Sequence, residues 1–156
     1  MIQTKLRGKR GFFVNFMFNA LPGGQKARLQ QMHKEIERFH GLLTRHIVRK
    51  PESAQWRRLR PILILAPDLP VPKRKKTSFK RTAPNDGLHV NGILLVPKRR
   101  RDIADGSTKR KQSRLGISMK KHLREKEHIF KSEHLDRVHL TRINRGTMAD
   151  YMFKTI

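Results

Sequence analysis

The residue types with the most chemical promise lie between Pro84 and Pro97, which reads P-N-D-G-L-H-V-N-G-I-L-L-V-P. Asn85-Asp86-Gly87 is turn chemistry, with Gly87 free to take positive φ. The apolar run after it, rich in branched side chains and closed by Pro97, reads as a buried strand. Side chains alternate between faces along a strand, so His89 and Asn91 point the same way, while Leu88, Val90, Leu94 and Val96 form a core face. An unpaired buried polar group costs about 1–3 kcal/mol, so His89 and Asn91 need partners. Those partners are either a sheet edge or a neighbouring loop, or a metal ion or phosphate on which imidazole and amide oxygen converge. Far along the chain, Tyr151 and Lys154 stand three positions apart, which on a helix places a phenol and an ammonium on one face. Read plainly, these are an aromatic ring packed on a sheet and an ordinary surface lysine.

The elements that must position these groups follow from periodicity. Phe12, Val14, Phe16 and Phe18 alternate with Phe13, Asn15, Met17 and Asn19, giving a strand with one strongly apolar face and one mixed face. Leu21-Pro22-Gly23-Gly24 ends it. Leu29, Met32, Ile36, Phe39, Leu43 and Ile47 recur at spacings of three and four and predict an amphipathic helix of about six turns. His33, His40 and His46 on that helix read as surface or boundary residues. Lys50 to Arg60 reads as a polar connection containing the one tryptophan, Trp56. Arg60 to Ala66 is a second strand, ended by Pro67-Asp68-Leu69-Pro70. Leu115, Met119, Leu123 and Phe130 suggest a weaker helix, and Arg137 to Ile143 a last strand. Thr147, with Asp150 three residues on, approaches the capping-box pattern and predicts a final helix bearing Tyr151. The chain stops two residues after Lys154, so this reading expects a natural end or a truncation to leave that helix incomplete. Strand, helix, strand, strand, helix, strand, helix is the order of an α+β domain, an antiparallel sheet with helices on one face. No internal repeat, Gly-rich phosphate loop or zinc pattern is present. The expectation is one domain over 1–156.

The charge balance is extreme. Thirty-seven Lys and Arg against 12 Asp and Glu leave a formal +25, with a pI near 11.7 and mean hydropathy of -0.70. Such self-repulsion opposes compaction, and a polyanionic partner is its natural counterweight. Nucleic acid fits best, since its phosphates shed counterions when Lys and Arg neutralise them. One basic run, P-K-R-K-K-T-S-F-K-R, supplies Lys73, Arg74, Lys75, Lys76, Lys80 and Arg81 just before the H-x-N strand. Another, Lys98, Arg99, Arg100 and Arg101, follows that strand directly. Basic clusters thus bracket the strand. An anionic membrane is disfavoured because no basic amphipathic helix carries a wide aromatic face. No apolar run approaches spanning length and no signal-peptide core opens the chain, so an intracellular, cytoplasmic protein is expected. The absence of cysteine excludes disulfides and thiolate metal sites.

An early aromatic strand, an H-x-N strand preceded by basic residues and a late Y-x-x-K helix together resemble the HUH endonucleases, among them rolling-circle replication initiators and related transposases. The resemblance implies a ferredoxin- or RRM-like fold. It implies a divalent metal, Mg2+ or Mn2+, held at His89 and Asn91, and Tyr151 as the nucleophile that joins a DNA 5′ end. Lys154 would steady the phosphate or the tyrosinate. The family pattern has a second histidine where this chain has Asn91. An amide oxygen is a hard ligand that Mg2+ and Mn2+ accept, though more weakly than a carboxylate, so Asp86 or Asp68 would complete the set. The implied partner is single-stranded or duplex DNA, with RNA the lesser candidate. The rival reading is a basic DNA- or RNA-binding protein without catalysis, either a decayed initiator or a ribosomal-type module. It explains the charge but gives no reason for an H-x-N pair inside an apolar strand.

Overall fold

A computed structural model describes residues 9–68, 84–98 and 117–143. The strands are β1 (Lys9–Phe18), β2 (Ile62–Asp68), β3 (His89–Pro97) and β4 (Leu135–Arg142). The helices are α1 (Gln25–Ile47), α2 (Met119–Glu125) and α3 (Glu127–Phe130). The strands form one four-stranded antiparallel sheet in the order β2-β3-β1-β4. This is α+β architecture with the strand order of a ferredoxin-like fold, as the element order predicts. The helices lie against one face of the sheet.

That face is apolar because of period-two patterning. Phe12, Val14, Phe16 and Phe18 of β1 are buried with Val90, Leu94 and Val96 of β3, against Met32, Ile36, Phe39, Leu43 and Ile47 of α1. Phe39 meets Phe16 edge-on at 5.2 Å between ring centroids and packs against Phe130 of α3 at the same separation. Both separations suit aromatic pairing. The whole core is a single cluster to which all three helices contribute.

Some boundaries differ from the sequence expectation, each for a physical reason. The polar connection contains a 3-10 turn, Ala54–Leu59, whose Trp56 and Leu59 pack on the core. The weak helical pattern resolves into two short helices, the first capped by Ser118, whose Oγ accepts the Lys121 amide at 3.3 Å. The second strand begins after Pro61, which has no N–H for a ladder, and runs through Pro67 to Asp68. Proline is tolerated there because β2 is, among the described residues, an edge strand, one side of which needs no ladder bonds.

The turn before β3 is tied to the entry of α1. Asn85 and Asp86 both take left-handed backbone, with φ of 57° and 55°. The buried Asn85 side chain accepts the Leu21 amide at 2.7 Å and donates to the Asn19 carbonyl at 2.9 Å.

Candidate functional site

The extension of β2 through Pro67 creates the site. In the β2–β3 register Asp68 faces His89 and Ala66 faces Asn91. His89, Asn91 and Asp68 therefore lie together on the sheet face opposite the helices, as strand alternation requires. The Asp68 carboxylate oxygen Oδ2 accepts from Asn91 Nδ2 at 3.0 Å and lies 3.4 Å from His89 Nε2. His89 Nδ1 is 2.9 Å from the Gly87 carbonyl. A carbonyl only accepts, so Nδ1 carries the proton. Nε2 then either donates a second proton to Asp68 or presents a lone pair beside the carboxylate.

This arrangement bears directly on a divalent metal. Nε2 and the Asp68 oxygen form a mixed donor pair, and Asn91 adds its Oδ1 if the amide turns over, since its nitrogen now faces Asp68. Among the described residues no group of three or more His, Cys, Asp or Glu converges. The set is thus too small for a closed protein cage. Asp68 and His89 are the residues that could hold Mg2+ or Mn2+, and then only with waters or other oxygen donors completing the ion's shell.

Asp86 does not join this group. Its carboxylate pairs with Arg28 of α1, which the left-handed turn directs it toward, and Asp68 occupies the position beside His89. Lys98 is exposed just beyond the C-terminal end of β3, nine positions from His89 and thus roughly 30 Å away at strand rise. Lys73, Arg74, Lys75, Lys76, Lys80, Arg81, Arg99, Arg100 and Arg101 lie outside the described residues, as do Tyr151 and Lys154.

Alternation puts one further polar residue, Asn15, on the same face of the sheet. Asn15 of β1 stands between Asn91 and His139 in the cross-strand register, so Ala66, Asn91, Asn15 and His139 form a row across all four strands. Asn15 Oδ1 is buried and has no hydrogen-bond partner among the described residues. Such an acceptor is rare enough to require an explanation. Next to this polar row the same face carries Ile64 and Ile93, paired across β2 and β3, with Ile64 59% exposed. No helix among the described residues is long and apolar enough to cross a membrane.

Comparison with protein families, curated proteins and solved structures returns no match in any of the three.

Proposed function

We propose that this chain binds nucleic acid across the sheet face opposite its helices, with the Asp68–His89–Asn91 group handling a backbone phosphate. The observation that carries the reading is the meeting of His89 and Asn91 on one carboxylate oxygen of Asp68, the residue after which the sequence runs on into the basic stretch 73–81. The net charge of +25 supplies the long-range attraction.

Single-stranded DNA is the proposed substrate and tyrosine-dependent nicking the proposed reaction. Tyr151 Oη would attack the phosphorus, link the 5′ end to the protein and release a 3′ hydroxyl, with Lys154 beside the phosphate. Polarisation of the scissile phosphate is what Mg2+ or Mn2+ would supply when bound by Asp68 and His89. The incomplete ligand set favours a second reading, binding without cleavage.

The test incubates the protein with single-stranded DNA and Mg2+ or Mn2+ and scores protein-linked 5′ ends. An adduct lost in both Tyr151→Phe and His89→Ala supports the nuclease. A silent wild type revived by Asn91→His marks a decayed enzyme. No adduct in either form leaves binding alone, measured in parallel by fluorescence anisotropy on DNA and RNA. Failure to bind any of these would sink the proposal as a whole.

A further inference from the structure

At the opposite edge of the sheet the structure carries a feature the nucleic-acid reading does not use. β4 is an edge strand, paired only with β1 among the described residues. Its outer row of N–H and C=O groups borders a groove of about 300 Å³, walled on the other side by α2 and α3. Leu123, Phe130, Leu135, Val138 and Leu140 make the floor apolar. The rim carries more positive than negative charge, Lys120, Arg124, Lys131 and Arg137 against Glu127 and Asp136. Lys131 and Arg137 share Asp136, at 2.9 and 3.7 Å, whereas Lys120 and Arg124 have no carboxylate partner among the described residues.

We infer that this groove takes an extended acidic peptide, which adds to β4 as a further strand and seats alternate apolar side chains between β4 and α2. A strand edge beside a helix is the geometry in which main-chain pairing gives affinity and pockets for every second side chain give specificity. The volume lies at the low end for ligand sites, room for side chains and not for a packed domain. The charge selects among occupants. A second copy of this chain would bring another +25 to the edge, so self-pairing is opposed. A nucleic-acid strand would find a rim half neutralised by Asp136 and a row of backbone groups that only another main chain can match. Acidic residues alternating with Val or Ile meet Lys120 and Arg124 and fill the floor.

The test uses the full chain and a fluorescein-labelled peptide of alternating valine and glutamate. Its control has the same charge but carries prolines, which cannot join a ladder. The valine–glutamate peptide is expected to bind at least about tenfold tighter than the proline version, a clear margin in affinity. It should also slow hydrogen exchange of amides within Leu135–Arg142, and the pair of changes Lys120→Glu and Arg124→Glu should weaken its binding at least about tenfold. Equal binding of both peptides would show charge attraction alone and overturn the inference. So would protection of β4 that appears with protein concentration and no peptide, or protection produced equally by a single-stranded oligonucleotide. Loss of DNA binding in the assay above, with peptide pairing intact, separates the two proposals.

Discussion

His46 and His122 meet where α1 and α2 come together. His46 Nδ1 lies 3.3 Å from His122 Nε2, and the Phe130 ring packs on both imidazoles. Burial pushes the His122 pKa below its ordinary value, and the charges of His46 and Lys126 push the same way against Glu125. A histidine whose folded pKa is depressed adds full stability above its unfolded value of about 6.5, and that stability is lost as pH falls toward the folded value. The melting temperature is therefore expected to drop on acidification from about pH 7, and less steeply in His122→Gln, by circular dichroism. Glu35 acts lower on the scale. Burial raises its pKa, but hydrogen bonds from Ser132 and Arg38 and the Arg38 charge outweigh that and hold it below 4.5. Its contribution is present above that value and is lost as pH falls through the lowered one. Asn85 is the other residue on which much depends. Asn85→Ala leaves the Leu21 amide without its acceptor and keeps a left-handed backbone that alanine disfavours. A loss of about 2–4 kcal/mol is expected from urea denaturation midpoints.

At the scale of elements, the closeness of β2 to β3 positions Asp68. A Cβ on Gly92 would run into the Ile64 carbonyl oxygen and lie 2.9 Å from Leu65 Cα. Both contacts are backbone, so neither can swing aside. Gly92→Ala should push the edge strand outward, costing about 3 kcal/mol or more. Amides of Ile62–Asp68 should then exchange faster, and the variant should lose the Asp68–His89 contact, seen as a changed His89 imidazole shift in NMR spectra. Among the helices, α2 is short and relies on its cap. Removing the Ser118 hydroxyl as Ser118→Ala should cost about 1 kcal/mol.

For the molecule as a whole, charge sets opposite salt responses for the free and bound forms. Screening relieves self-repulsion, so the melting temperature of the free protein should rise with ionic strength. Nucleic-acid affinity should fall, with a log–log slope steepened by roughly 0.9 per phosphate contact on duplex and 0.7 on single strands. Replacing Lys98 to Arg101 by alanine should flatten that slope. A melting temperature that falls with salt would show that the charges are already paired within the fold.

Much of this architecture was readable along the chain because alternation and helical spacing are local. Phe12 to Phe18, Leu88 to Val96 and the α1 stripe all declare which face they bury, and the core matches them. The same alternation places His89 and Asn91 on the face away from the helices, as found. What no local pattern holds is who stands opposite whom. Pro67 reads as a strand terminator, yet β2 ends up at a sheet edge where a missing N–H costs nothing, so the strand continues and carries Asp68 to His89. Asp86, nearer to His89 in sequence, is turned toward Arg28 by its left-handed backbone. The groove beside β4 arises in the same way, since strand order alone determines which strand keeps an unpaired edge. Residue types and their faces were determined by the sequence through short-range periodicity. Their partners were decided by the tertiary structure, through register and strand order, which depend on contacts between distant residues.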